Sequence, residues 1–588
     1  MTTESRNSLD PVLVGLVSGR LASILDEQQT ALIHTAFSPV VRESYDLACA
    51  VFDSGGQMIG QSSGGTPGHI NAMATGMEHI VAAYDQDALV DGDVLITNDP
   101  WMTAGQINDI TVATPVFRQG RLVAWFASCC HSPDIGGRIL SAEASEVFEE
   151  GLRIPIMKFR EAGQENSILA EIIRANVRTP EATIGDIYAQ VSSNLVGARS
   201  LLNLMDETNL DSIDEVAGDI MERSEAALRK RIAQLEDGTY TAQVDCDGFR
   251  EESLTLKVSV TVQGDELHVD YSGSSDQSKY GINVVLNYTR AYTSFAIKAA
   301  LAPEVPHNAG SFRPVNTTAP EGSVLNCLEP APVASRHLVG HFLPSLLFDA
   351  LRPAVQSGLP AYSADALWMT VWRGLDASND LEMSHEFTLT TFGAGGSGGR
   401  PGKDGLTTTG FPTGVRAAPT EVIESLSPLV QLERQLITDS GGAGEYRGGL
   451  GQRIRVVRRQ DQPWSVNANV DRLRAGAPGA NGGSDGRAGR LALKGEGRQI
   501  EPKSLCRLQP DDEVILEFPG GGGLGHPFDR DADRVLDDVV QGYVTREAAE
   551  QTYGVCVTPA SVDAASRPVG GSRMEIDWDK TTKLRAQR

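Results

Sequence analysis

The sequence predicts an α+β protein with a mixed-sheet N-terminal region, a helical insert and a β-rich, glycine-studded C-terminal half. Three observations carry this. Apolar residues recur at helical spacing near the start and over 167–235, they alternate with a period of two after Thr239, and glycine crowds the last third. At 588 residues the chain is too long for one core. We divide it into an α+β unit over 1–160, a helical segment over 161–238, a meander with helices over 239–380 and a β-rich unit over 381–588.

The chain opens with a helix. Asp10-Pro11 supplies a cap and a proline at the first helical position, and Val14, Val17, Leu21, Ile24, Leu25 and Leu32 follow at helical spacing. Asp46 leads the apolar run Leu47 to Phe52, a buried strand that turns at Ser54-Gly55-Gly56. His69 follows a Gly/Pro-rich loop before a helix holding Met73, Met77 and Ile80. Taken alone, it reads as a helix-start hydrogen-bonding residue.

Ser167 to Arg178, Thr183 to Leu202 and Ser212 to Leu235 give three amphipathic helices. Leu254, Leu256, Val258, Val260 and Val262 alternate with polar residues and turn at Gln263-Gly264-Asp265 into a further strand, an antiparallel meander. An apolar helix through Tyr292, Phe295 and Leu301 comes next, then a Pro-rich connector. His337 and His341 stand four apart beyond it, but no glutamate follows His337 as in a zinc-binding HExxH helix, so the pair reads as structural.

Glycine makes up 61 of 588 residues, concentrated at 393–402, 439–451 and 519–525. None of these runs fits GxxxxGK[ST], and none has the strand–turn–helix context of a dinucleotide loop. They read as loops that let strands pass close together. No nucleotide site is expected on this chain.

The stretch from Asn98 to Gly137 organises the chemistry. Polar clusters at Asn98-Asp99-Pro100-Trp101 and Gln106-Ile107-Asn108-Asp109 precede Val112 to Phe117, and Leu122 to Ala127 precedes Cys129-Cys130-His131-Ser132-Pro133-Asp134. Gln119-Gly120 separates two β-length runs, so a hairpin would set Asp109 beside His131 at one end of a sheet. Carboxylate, amide and imidazole converging there can hold a divalent metal, with Asp46 within reach. The alternative is that Asp109 caps a turn and His131 bonds a backbone group.

The formal net charge of −26 argues against nucleic acid or an anionic membrane as partner. The first ten residues lack an apolar signal core, and no apolar run is long enough to span a bilayer, so a cytoplasmic location is expected. Seven cysteines without a CxxC spacing argue against a disulfide framework or a zinc knuckle. Vicinal Cys129-Cys130, inside an expected strand, read as small packed side chains.

Several motifs together resemble the hydantoinase B/oxoprolinase family. They include Asn98-Asp99-Pro100, Asp109-Ile110-Thr111, His131, Asp134-Ile135-Gly136-Gly137, Glu150-Gly151, Gly398 to Gly405, Asp439 to Gly444, Tyr446 to Gly451 and Pro519 to Gly523. They span nearly the whole chain in family order, and the nearest pattern is the free-standing hydantoinase B-type chain of N-methylhydantoinases. The resemblance implies an ATP-binding hydantoinase A-type partner, in an (αβ)2 or larger hetero-oligomer, that binds Mg-ATP and phosphorylates a substrate carbonyl oxygen. The B-type chain would then complete hydrolysis of a hydantoin, lactam or oxoproline. A carboxylase of simple ketones and a non-catalytic scaffold are the alternatives.

By the same resemblance, metal ligands fall on Asp46, Asp109 and His131, and a fourth falls on Gln106 where the family has histidine. Ser132 replaces a second family histidine. An amide oxygen suits Mn²⁺ or Mg²⁺ better than Zn²⁺, so the metal is expected to differ, weaken or be missing. His69 with Met73 matches the family's His-x-x-x-Met, which makes His69, with Asn98, Asp99 and Asp134, a candidate pocket residue. Either a metal-bound water, or a base built from Asp46 or Asp109 with His131, would open the ring.

Overall fold

The computed structural model describes residues 9–138, 140–356, 358–376, 385–495, 498–559 and 574–586. Its helices and mostly antiparallel sheets make an α+β protein. Among the described residues no helix is long and apolar enough to cross a membrane.

The N-terminal sheet has seven strands in the order Met58–Gln61, Leu47–Phe52, Arg121–His131, Asp109–Arg118, Val94–Thr97, Met157–Glu161, Gln164–Glu165. Every neighbouring pair is antiparallel, which corrects the mixed sheet read from the sequence. The helix Pro67–Ala83 lies between Met58–Gln61 and Val94–Thr97 in sequence, but those two strands are not neighbours in the sheet. The parallel pairing instead joins Glu266–Asp270 to Val315–Thr318, at the edge of the predicted meander.

Helices cover both faces of the N-terminal sheet. Pro67–Ala83 packs Ile70, Met73, Met77 and Ile80 onto one face. On the other lies Pro180–Thr208, whose Gly197 sits directly against the Phe126 ring. Its Gln190 and Asn194 amides donate to the carbonyls of Ile110, Ser128 and Val112, tying helix to strands through buried polar groups. The first helix, Pro11–Thr35, is capped by the Asp10 carboxylate on the Val12 amide and buries the apolar positions read from the sequence.

The predicted meander, Gly238–Phe249, Glu252–Gln263 and Glu266–Asp270, buries its alternate apolar residues beneath the helices Leu286–Leu301 and Leu343–Leu351. In the C-terminal part, two four-stranded sheets share one core around Trp368, Trp372, Val456 and Phe518. The boundary placed at 380/381 lies outside the described residues.

The glycine runs pack backbone on backbone. Gly396 donates to Pro519, Gly449 to Ser397, Gly521 to Gly449, Gly442 to Gly521 and Gly523 to Ser484, so extended segments lean on one another through main-chain hydrogen bonds. A methyl group on Gly396, Gly448, Gly520 or Gly522 would overlap a neighbouring carbonyl oxygen. Gly520 to Gly523 are outside the left-handed region, so glycine serves here for space, not for handedness.

Candidate functional site

The hairpin delivers its two ends together. Asp109 and His131 are direct register partners at the open end of the strands Asp109–Arg118 and Arg121–His131, which turn at Gln119 and Gly120, both with positive φ. The next strand, Leu47–Phe52, pairs with the same stretch, and the His131 amide donates to the Asp46 carbonyl. Sheet register alone therefore gathers three of the expected residues. His69 arrives in the first turn of Pro67–Ala83.

Their side chains form one buried nest. His131 Nδ1 lies 2.8 Å from Asp109 Oδ1 and 4.0 Å from Asp46 Oδ2. His69 Nε2 lies 3.2 Å from Asp109 Oδ2, and its Nδ1 lies 3.6 Å from Asp46 Oδ1. The Thr66 hydroxyl donates to Asp46 Oδ1 at 3.1 Å. Arg336 completes the nest. Its Nη2 pairs with Asp109 Oδ2, its Nη1 donates to Gln106 Oε1 at 2.8 Å, and its Nε donates to the Ala104 carbonyl at 2.7 Å. The guanidinium lies 4.1 Å from the centre of the Tyr288 ring.

A cavity of about 30 Å³ borders this nest. Asp46, Thr66, His69, Gln106, His131, Tyr288 and Arg336 line it together with His337, His341, Leu367, Met369, Thr413 and Val415. His131 Nε2 and His337 Nε2 are buried and have no hydrogen-bond partner among the described residues.

Burial works against charge on Asp109, but His69, Arg336 and His131 outweigh it and hold its carboxyl well below the usual carboxylate range. Burial opposes the charged form of His69 too. Asp109 and Asp46 prevail and raise its imidazole above the ordinary value. His337 and His341 show the opposite balance. Burial, with repulsion from His341 and Arg336, depresses His337, and burial with Arg336 brings His341 down to about 3, so both are neutral.

Among the described residues no group of three or more His, Cys, Asp or Glu side chains is arranged to hold a metal ion. Gln106 has both ends of its amide engaged, Oε1 by Arg336 and Nε2 by the Ala334 carbonyl. A guanidinium already sits on Asp109. The donor set present suits a side-chain cation and not an added dication.

Three further expected pocket residues, Asn98, Asp99 and Asp134, do not line this cavity. Asn98 donates to the Ile107 and Leu152 carbonyls and accepts from the Ile154 amide, locking two loops. Asp99 is paired with Arg153, and Asp134 with Arg178 and the Gly136 amide. Their hydrogen-bonding capacity is spent on the scaffold. Sequence reading missed Arg336 and Tyr288, and it set His337 and His341 aside. Arg336 lies 227 positions from its partner Asp109, and no local pattern marks it. Cys129 and Cys130 are packed as expected, with burial pushing both thiols up.

Asp46, Asp109 and His131, set together by an antiparallel sheet, thus meet Arg336 from the start of the helix His337–Gly340 beside one water-sized cavity. The chain belongs to the hydantoinase B/oxoprolinase family, whose sequence profile matches residues 10–527. It is 30% identical over 573 residues to the beta chain of the caprolactamase of Pseudomonas jessenii, covering 94% of this chain and 97% of that one. It is 29% identical over 608 residues to a Pseudomonas sp. protein described as the B-type component of a D-/L-hydantoinase, covering 98% of each.

The crystal structure of the ATP-dependent caprolactamase from Pseudomonas jessenii superposes with a TM-score of 0.84 at 27% identity, covering 99% of this chain and 100% of that one. Nucleotide-free acetone carboxylase shares the fold with a TM-score of 0.83 at 20% identity, covering 98% of this chain and 83% of that one. The family thus includes ATP-dependent amidohydrolases.

Proposed function

We propose that this chain is the hydantoinase B-type component of an ATP-dependent cyclic amide hydrolase, acting on a carbonyl that an ATP-binding A-type partner has phosphorylated. The end-to-end likeness to a caprolactamase beta chain supports the reaction class. The observation that carries the chemistry is the Asp109–His131 pair. Asp109 Oδ1 fixes the proton on His131 Nδ1 at 2.8 Å, so the unpartnered Nε2 is left as an acceptor beside the cavity.

In this reading the phosphorylated carbonyl carbon is attacked by water, and the water proton passes to His131 Nε2. The imidazolium returns that proton to the ring nitrogen, and on collapse the adduct's hydroxyl passes its proton through the same Nε2 to the nitrogen as the ring C–N bond breaks and the carbonyl of an acyl phosphate forms. The resulting acyl phosphate takes up a second water, giving carboxylate and inorganic phosphate. Asp109 orients the imidazole. Arg336 and His69 in turn hold Asp109 ionised. A cavity of about 30 Å³ admits water but no ring, so one wall must move when substrate binds.

The test is co-expression with an A-type partner and a screen of hydantoins, lactams and 5-oxoproline for ATP-coupled ring opening. His131→Ala is expected to lower coupled turnover by ~10²–10⁴-fold. Full turnover in that variant would sink the reading. ATP turnover that requires bicarbonate and fixes its labelled carbon would place the chain among ketone carboxylases instead.

A further inference from the structure

The cation in this nest is a side chain, and the surroundings are built to hold it. Arg336 is 3% exposed, yet its Nε, Nη1 and Nη2 all have partners, and an aromatic ring covers its guanidinium. Gly105, with φ of +81°, makes room for it. A Cβ there would stand 3.0 Å from Arg336 Cδ and 3.1 Å from its Nε. Tyr288 is seated in the same way between Gly68 and Gly340, each of which would meet its ring at 2.5 Å if it carried a methyl.

Gln106 links two anchors, accepting from Arg336 and donating to the Ala334 carbonyl, while Glu150 Oε1 accepts from the Val333 amide at 2.6 Å and the Ala334 amide at 2.8 Å. Room, platform and tether all serve one guanidinium.

The Gln106 amide meets two demands at once: its carbonyl oxygen accepts from the guanidinium while its NH₂ donates to the Ala334 carbonyl. A guanidinium on Asp109 Oδ2 also takes up the oxygen that a metal would need, and it would repel a dication placed against the same carboxylate.

We propose that Arg336 is a resident cation that takes the place of a divalent metal on Asp109, held there by Gln106, so that this chain's site works without a metal ion. The inference concerns the same site as the proposed hydrolase, but metal binding reads it out, and that needs no knowledge of the substrate.

The whole chain is equilibrated with Mn²⁺ and, separately, with Zn²⁺, passed through a metal-free desalting column, and assayed by elemental mass spectrometry. Calorimetric titration with MnCl₂ accompanies this. The wild-type chain is expected to retain well under one tenth of an equivalent, and the Gln106→His/Arg336→Met double variant about one. A wild-type chain that keeps one equivalent, lost on Asp109→Asn, overturns the proposal. So does a double variant that is folded by circular dichroism yet stays empty. If the double variant does not fold, the wild-type titration decides alone: no heat of binding at millimolar Mn²⁺ supports the proposal, and saturable one-site binding ends it. Failure of the hydrolase reading would leave these outcomes unchanged.

Discussion

Two regions of this molecule bury polar groups that ordinarily seek water, and they do it by opposite means. Around Asp109 the buried groups are charged side chains, satisfied by one another across long sequence separations. Around Gly520 to Gly523 they are backbone amides and carbonyls, satisfied by neighbouring backbone because no side chain stands between. The first region depends on which atoms are present and how they are charged. The second depends on one kind of atom being absent. A change that keeps shape and alters charge should damage the first, and a single added methyl should damage the second.

The largest expected effect is in the glycine stack. Gly520→Ala puts a carbon onto the Ser440 carbonyl oxygen, and the backbone cannot yield without breaking its hydrogen bonds to neighbouring segments. The loss should exceed ~4 kcal/mol, read as insoluble expression or a collapsed urea midpoint. An unchanged midpoint would mean that the stack is looser than described.

Next comes the charge nest. Asp109→Asn keeps shape and leaves Arg336 buried without its ion pair, a cost of about 3–5 kcal/mol. Combining it with Arg336→Gln should recover part of that loss, and a double-mutant cycle in urea measures the coupling. Strict additivity would show that the two side chains do not interact.

Glu150 sharpens the comparison by titration. Burial raises its carboxyl from the ordinary 4.5 to about 8, and the Val333 and Ala334 amides only partly offset this. Its contribution to stability is therefore fully present below pH 4.5 and is lost as pH rises through about 8. Stability should fall on the order of 3 kcal/mol between pH 5 and 8 through this group. Glu150→Gln keeps the acceptor and should flatten that slope, as urea midpoints at the two pH values will tell.

The smallest effect has the opposite sign. Gly19 lies inside the helix Pro11–Thr35 with open space at its Cβ position, so Gly19→Ala should stabilise by ~1 kcal/mol. A destabilised Gly19→Ala would break the argument that space decides what a glycine is for.

Much of the scaffold was legible in the sequence because its signals are local. Cap and periodicity mark Pro11–Thr35, alternation marks the strand Glu252–Gln263, and Gln119-Gly120 marks the hairpin whose register pairs Asp109 with His131. The glycine runs predict close approach of strands, and the backbone contacts bear that out.

Less legible was what depends on distant partners. The N-terminal sheet is antiparallel and not mixed, because sequence shows a helix between two strands but not that they end up apart. Asn98, Asp99 and Asp134 carry motif signals yet serve the scaffold. Arg336 carries no signal and sits at the centre. Nothing in its neighbours foretells an ion pair with a residue 227 positions away.

The two-residue turn at Gln119 and Gly120 has a reach beyond its size. Strands of ten and eleven residues separate it from Asp109 and His131, a span of about 30 Å. Because side chains alternate between faces, lengthening that turn by one residue would swing one member of the pair to the opposite side of the sheet unless the bulge near Val116 absorbed the slip. An exposed bend at the far rim thus acts as a ruler for the Asp109–His131 pair at the centre, and insertions there are a distant way to part the two side chains while leaving both in the sequence.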